Sequence, residues 1–369
     1  LGFDDLQIFG GLMSGIPKWA RWDPSNLMGA KCPVRLCTGP RSLGKTYALK
    51  KQGIKRYLEK GDTWAYTRYN DAMIERILRS PEGFLSDIER NDEFPGYTFR
   101  MNGRMMQCAY KPQKDTANIK WKPKWSSLGQ MYALTSFDSY KGTTSAKCTL
   151  MVLDEFIKEK KNVPYPPGCV DMLMNMWETF DRRENRVILV GLANNADLVN
   201  PIFRAWNITP IPKGSSRYFK VGNSHVYYEN AFCAEFEKYS AQSNIGMFTA
   251  GSDYAEYAQQ SEFMNATGLF VKKRPKGCDC IVAMLFKGIP FAVWQDIHTG
   301  DVFIDRKPPQ NKAIAVLTRH DMTPDTRLIE RTAPLIKFAM RSYSQGECYF
   351  DSDATREMWL DMLVMCGLK

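Results

Sequence analysis

The sequence predicts an α/β chain, with a doubly wound parallel-sheet domain first and a smaller α+β domain after it. Three observations carry this. Thr149–Leu153 and Arg186–Leu192 are continuous apolar runs, the pattern of strands buried on both faces of a parallel sheet. Helix-spaced segments alternate with such runs as far as Asn200. From about Phe263 the strands recur instead as hairpins, with Gly288 and His298-Thr-Gly300 as turns.

Taken in order, residues 1–30 are aromatic and punctuated by Gly and Pro, and read as an irregular arm. Val34–Thr38 is a β-prone run that stops at Gly39-Pro40. A helical pattern follows from Lys45 to about Lys60, with Ala48, Leu49, Ile54, Tyr57 and Leu58 on one face and Gly61 as its stop. Thr63–Thr67 reads as the next strand, and Asp71 as the cap of a helix running through Leu78. Short strand-like runs occupy 95–147, and Val170–Phe180 has helical spacing through Leu173, Met176 and Trp177. Residues 200–260 read as a polar connector with short helices. Strands at Ile281–Phe286, Phe291–Trp294 and Val302–Ile304 precede helices at about 325–342 and 353–366. The expected division is a first domain at 1–198, a linker or lid at 199–260, and a second domain at 261–369.

Composition narrows the function classes. With 44% hydrophobic and 24% charged residues, the chain has the balance of a soluble globular protein. It has no apolar run of about 18 residues, so no membrane span is expected, and no basic-then-apolar leader. The net charge of +10 favours polyanionic partners, nucleic acid first among them. Residues 261–369 hold 15 Lys/Arg against 13 Asp/Glu, a net of +2, so the remaining +8 lies in residues 1–260. Ten scattered cysteines and three histidines give no zinc spacing and suit reduced thiols.

The chemistry concentrates at Gly39-Pro-Arg-Ser-Leu-Gly-Lys-Thr46, which fits G-x-x-x-x-G-K-[ST] between a strand and a helix. Gly39 and Gly44 let the backbone N–H groups around Arg41 and Ser42 curl about phosphate oxygens. The helix beginning there aims its positive end at the same anion. Lys45 reaches the β- and γ-phosphates, and the Thr46 hydroxyl is a Mg²⁺ ligand. Asp154, closing an apolar strand, is the second metal carboxylate, and Glu155 beside it orients the attacking water. Alone, Asp-Glu at a strand end is as readily a solvated terminus; the upstream loop decides for function. Asn194, after the Val187–Leu192 run, is a candidate γ-phosphate sensor, with a turn-forming Asn pair as the equal alternative. Arg182, Arg183 and Arg186 form a cluster that either caps a helix in solvent or offers an arginine finger.

Two basic stretches read as contacts for a phosphate backbone. Lys111, Lys114, Lys120, Lys122 and Lys124 interleave with Trp121 and Trp125, and Lys158, Lys160 and Lys161 follow the acid pair. A solvated hairpin is the plain alternative for the first. Lys272, Lys273, Arg274 and Lys276 open the second domain.

Val152-Leu-Asp-Glu-Phe-Ile-Lys-Glu-Lys160, Leu192-Ala-Asn194, Asn200-Pro-Ile-Phe203, Phe270-Val-Lys-Lys-Arg274, Phe291–Asp296 and Val302–Asp305 together resemble the genome-packaging ATPases of small tailed phages of the phi29 type, in the same order from about 34 to 366. The resemblance implies a P-loop ATPase domain of the additional-strand, catalytic-glutamate type, and a second domain resembling an RNase H-like nuclease. It implies a homo-oligomeric ring, a pentamer, docked on the portal of a procapsid in the host cytoplasm. Such a ring uses ATP and Mg²⁺ to drive double-stranded DNA inward, and leaves open a structural packaging RNA. It gives Glu155 and Asn194 catalytic roles, Arg182 or Arg183 the trans-acting finger, and Arg68 and Lys141 places near the subunit interface. The second domain's first strand, Ile281–Phe286, lacks a central carboxylate, although Asp296, Asp305, Asp351 and Asp353 remain. An inactive, repurposed nuclease is therefore expected. The competing readings are a helicase or recombination ATPase, which needs further motifs not found here, and a nucleotide-gated binding protein, which the intact acid pair opposes.

Overall fold

A computed structural model of the chain describes residues 17–111, 122–140, 142, 146–158, 165–195, 200–250 and 270–367. In the first part, α1 (Ser25–Gly29) leads into β1 (Val34–Thr38), α2 (Lys45–Lys60), β2 (Thr63–Arg68), α3 (Asp71–Leu78) and α4 (Ser86–Arg90). There follow β3 (Tyr97–Asn102), β4 (Met105–Tyr110), β5 (Ser126–Ala133), β6 (Cys148–Asp154), α5 (Cys169–Asp181) and β7 (Ile188–Leu192). Then come α6 (Pro201–Ala205), β8 (Ser216–Val221), β9 (Ser224–Asn230), α7 (Ala234–Ala241) and α8 (Asn244–Thr249). The second part holds β10 (Asp279–Phe286), β11 (Ile289–Gln295), β12 (Val302–Asp305), β13 (Ile314–Val316), β14 (Thr326–Leu328), α9 (Pro334–Ser344), β15 (Cys348–Phe350) and α10 (Asp353–Met365).

The first sheet has the order β3-β4-β5-β2-β6-β7-β1-β9-β8. Its centre, from β5 to β9, is parallel, and its two edges are antiparallel hairpins. β7 lies between β1 and β6, so the strand bearing the phosphate loop and the strand bearing Asp154 are separated by one strand. β1 is buried along its whole length, and β6 at all but one position, because both sheet faces are covered. One face packs Phe156, Leu173, Met176, Phe180 and Phe203. The other packs Leu49, Ile54, Trp64, Tyr66, Ile88 and Met106. Gly129 of β5 is required by close approach, since a Cβ there would stand 1.9 Å from the Trp64 carbonyl oxygen.

The second sheet has the order β14-β13-β10-β11-β12-β15. β10, β11 and β12 are antiparallel neighbours, whereas β13 runs parallel to β10 and β14 parallel to β13. α9 and α10 cover one face, where Trp359 packs edge-on to Phe291 at 5.5 Å. Lys287 (φ 51°) and Gly288 (φ 76°) both turn left-handed at the β10–β11 hairpin, as a two-residue turn of this kind requires.

Four readings need correction. Residues 200–260 are not only a connector: β8 and β9 form a hairpin, and β9 pairs in parallel with β1. Their alternation lay hidden because Tyr227, Tyr228, Glu229 and Asn230 are all buried, polar residues included. α3 is capped by Asn70, whose side chain accepts from Met73 N at 3.1 Å, while Asp71 pairs instead with Arg104 at 2.8 Å. The helix expected at 325–342 starts only at Pro334, since Thr326–Leu328 pairs with β13. β7 starts at Ile188 rather than Arg186, whose guanidinium turns away to bond the carbonyls of Phe180 and Cys148.

Candidate active site

β1 ends at Thr38 and the chain turns through Gly39–Gly44 into α2. Ser42 (φ 64°) and Gly44 (φ 92°) are both left-handed, which folds the loop back over the first turn of the helix. Lys45 is buried, and its Nζ donates to Gly39 O (3.1 Å), Pro40 O (2.7 Å) and Asn194 Oδ1 (3.0 Å). Three oxygens thus hold the ammonium at the loop's centre, where a phosphate would meet it. Asn194 reaches it because Ala193 N bonds Cys37 O at 3.0 Å, continuing the β1–β7 register past the strand ends.

The Thr46 hydroxyl donates to Asp154 Oδ2 at 3.0 Å, so the phosphate-loop helix and the end of β6 meet at one point. Tyr66 OH donates to the same oxygen at 2.6 Å, and Glu155 N to Asp154 Oδ1 at 3.0 Å. Glu155 follows in a left-handed turn (φ 57°) that swings its carboxylate out of the strand. Arg68 lies against both acids: its guanidinium is 3.5 Å from Asp154 Oδ2 and pairs directly with Glu155, and its Nε donates to Tyr66 OH at 3.0 Å. Burial works to lower the Arg68 pKa, but Asp154, Tyr66 and Glu155 outweigh it and hold the guanidinium firmly protonated. Burial, then Asp154, pushes the Tyr66 phenol well above its usual range, so Tyr66 stays a donor.

These groups line a cavity of about 570 Å³ with Arg41, Ser42, Gly44, Tyr47, Lys50 and Phe84. On the far side of Gly44 the Arg21 guanidinium stacks 4.2 Å from the Tyr47 ring centre, and Lys51 pairs with Glu93 at 2.7 Å. Burial, then the hydrogen bond to Glu93, raises the Tyr47 pKa to about 12.

The structure thus joins Gly39, Arg41, Ser42, Gly44, Lys45, Thr46, Asp154, Glu155 and Asn194 in one site. It places others elsewhere. Arg68, expected near a subunit interface, also lies on the acid pair within one chain. Lys158, expected on DNA, lies 5.3 and 5.2 Å from the Tyr69 and Tyr165 ring centres, where burial lowers its pKa. Arg182 and Arg183 end α5 at the end of the sheet where β7 begins, and the phosphate loop lies at the other end, where β1 stops. Arg183 is 87% exposed and bonded to Glu178, so within one chain neither arginine reaches the site. Lys122 and Lys124 are exposed ahead of β5, while Lys120, Lys141 and Lys160 fall outside the described residues. Sequence reading missed Tyr66. The signal was present: Tyr66 and Arg68 are two apart on one strand and so share a face.

The Podovirus DNA encapsidation protein (Gp16) family matches residues 17–365. The chain belongs to this family. The expected class, a phage DNA-packaging ATPase, agrees with that membership. The chain is 25% identical over 328 residues to the DNA packaging protein of Bacillus phage B103, covering 88% of this chain and 94% of the relative. It is 24% identical over 341 residues to the DNA packaging protein of Bacillus phage phi29, covering 91% and 95%. In fold it is similar to a chain of the bacteriophage phi29 viral genome packaging motor assembly. That match has a TM-score of 0.70 and 22% identity, and covers 94% of this chain and 99% of the other. A phi28 gp11 DNA packaging motor chain gives a TM-score of 0.57 at 16% identity, covering 94% and 98%. Among the described residues no helix is long and apolar enough to cross a membrane.

Proposed function

We propose that this chain hydrolyses ATP at the Lys45–Asp154 site and uses the energy to drive double-stranded DNA into a preformed procapsid. It does so as a homo-oligomeric ring, a pentamer, on the portal in the host cytoplasm. The observation that carries this is the 3.0 Å contact between Thr46 Oγ1 and Asp154 Oδ2, which brings a loop hydroxyl and a strand-end carboxylate to one ion-sized point. Two hard oxygen donors at that spacing suit Mg²⁺, which supplies charge neutralisation between the β- and γ-phosphates when bound. Lys45 holds the phosphate tail, Asn194 senses its terminal group through Lys45, and Glu155 polarises water once Arg68 releases it. Placement of β7 between β1 and β6 supports the additional-strand, catalytic-glutamate class. In this reading the first domain closes with β9, and the connector to the second begins there. The ring, the portal and any packaging RNA rest on family membership.

The test is ATP turnover with and without double-stranded DNA. Wild type should be stimulated by DNA, and Glu155→Gln should lose about 10²-fold or more in turnover while still binding nucleotide. Stimulation that survives in Glu155→Gln would remove Glu155 from the mechanism. Tight binding without turnover in the wild type would favour a nucleotide-gated switch.

The second domain reads as an RNase H-like fold without nuclease activity. The order β12-β11-β10-β13-β14, with the first three antiparallel and the last two parallel to β10, supports the fold. In β10 the only carboxylate is Asp279, at its first position. Asp305 is engaged by Arg274 at 3.3 Å, and Asp321 accepts from Lys287 N and Gly288 N at the hairpin. Incubation with supercoiled plasmid and Mn²⁺ should leave it intact; nicking that Asp305→Ala abolishes would overturn this.

A further inference from the structure

The five-residue helix α6 touches both the nucleotide site and the second domain, through different side chains. Asn200 caps it by accepting from Phe203 N at 3.0 Å, and Pro201 fixes its first turn. Its buried side is Ile202 and Phe203. The Phe203 ring lies 5.7 Å from that of Phe156, which directly follows the acid pair, and 5.0 Å from that of Tyr228. Phe156 N in turn bonds Leu192 O at 3.0 Å, two residues before Asn194. Tyr228 OH meets Thr38 Oγ1, at the start of the phosphate loop, at 2.9 Å. The buried side of α6 thus rests on residues adjoining all three parts of the site.

Its other side faces the second domain. Arg204 reaches Asp361 of α10 at 2.5 Å, and Asn207, just beyond α6, accepts from Arg306 after β12. Lys287 of the β10–β11 turn stands near the same pair: burial, then Arg204, lowers its pKa, while Asp361 raises it. Asp361 therefore has one cation from each domain beside it. Such a contact is polar and orientation-dependent, unlike the apolar packing on the helix's other side.

Building on the ATPase reading above, we infer that Arg204 and Asp361 are positioning residues that couple the nucleotide state of the first domain to the placement of the second, with α6 as the connecting element. A shift of Asn194 or of the acid pair on hydrolysis is passed through Phe156 and Phe203 to α6. Arg204 and Asp361 then carry it to α10, so the second domain moves with each ATP cycle. Neither residue touches the nucleotide, so basal hydrolysis does not depend on them.

The test uses the full-length chain with Arg204→Asp, Asp361→Arg and the double swap. Each single reversal should leave DNA-independent ATP turnover within about twofold of wild type and reduce DNA packaged per ATP by about tenfold, and the swap should restore it. Singles that package as wild type, or folded singles that the swap does not rescue, overturn the inference. A second measurement needs no DNA. Cysteines placed at 207 and 306, which face each other across the same contact and leave Arg204 and Asp361 in place, are joined by a short bis-maleimide, and the link is read by mass spectrometry. The rate should differ between ADP and a non-hydrolysable ATP analogue, and the difference should vanish with Asn194→Ala. Equal rates in both nucleotides overturn the inference even if the chain proves not to be stimulated by DNA, a result that would count against the motor reading instead.

Discussion

Arg68 pairs with Glu155, the carboxylate proposed above to polarise water. Its guanidinium pairs with Glu155, touches Asp154, and is itself bonded to Tyr66, so a single cation lies against both acids. This offsets part of the repulsion between two adjacent carboxylates. A charged pair of this kind contributes about 1–2 kcal/mol, so its loss should shift the free fraction of Glu155 roughly 5- to 30-fold. We expect Arg68→Ala to raise DNA-independent ATP turnover by a factor in that range and to shrink the stimulation by DNA, with circular dichroism as the control for folding. An unchanged basal rate in the folded variant would show the pair to be incidental. Of the site, the phosphate loop, the acid pair and Asn194 were legible in the sequence, because each follows a strand whose apolar run is unmistakable. Tyr66 was not read as a site residue, and Arg68 was placed only near an interface by resemblance, because an aromatic and a basic residue on a strand carry no motif. Only the β2–β6 register, Tyr66 opposite Val152 and Thr67 opposite Leu153, brings them to Asp154.

At the scale of elements, the α5–β7 turn is held by one carboxylate. Asp181 is buried and accepts from Asn185 N (3.1 Å), Arg186 N (2.8 Å) and Val187 N (2.8 Å). Burial opposes ionisation, but these three donors and Arg186 outweigh it and hold the Asp181 pKa below its usual value. A depressed folded pKa means the native state binds fewer protons than the unfolded one. The stabilisation is therefore complete above the unfolded carboxylate pKa, near 4, and is lost as pH falls through the lower folded value. Asp181→Ala should cost about 1–3 kcal/mol at neutral pH through the three orphaned donors, and the cost should shrink below about pH 4. Thermal melts across pH read this; an equal loss at pH 3 and pH 7 would mean that its charge is irrelevant. The same turn carries Arg182 and Arg183, both left-handed (φ 52° and 62°), so Asp181 also fixes where those arginines are presented.

For the whole molecule, a single chain leaves its site without an arginine finger from α5, since that helix stops at the ends of the strands opposite the phosphate loop. In the proposed ring, a neighbouring subunit would be the recipient. Mixing Lys45→Ala chains with Arg182→Ala or Arg183→Ala chains should partly rescue ATP turnover at whichever arginine acts in trans, because each variant supplies what the other lacks. Mixtures that stay as inactive as their parts at both positions would end the trans assignment. Lys122 and Lys124 are exposed; if they contact the DNA backbone as proposed, salt should lower the affinity for DNA steeply.

The chain's own pattern determined the α/β class, the phosphate loop between β1 and α2, the acid pair at the end of β6 and the hairpins of the second sheet. Each of these is local: a run, a spacing or a turn whose physics is complete within about twenty residues. The tertiary structure alone decided that the Ser224–Asn230 segment lies beside β1, that Arg68 closes on Glu155, that Lys158 lies over the Tyr69 ring, and that α6 bridges two domains. In each case the partners are far apart in the chain. Ion pairs, ring contacts and parallel registers depend on where strands are placed side by side, which no single stretch of residues specifies.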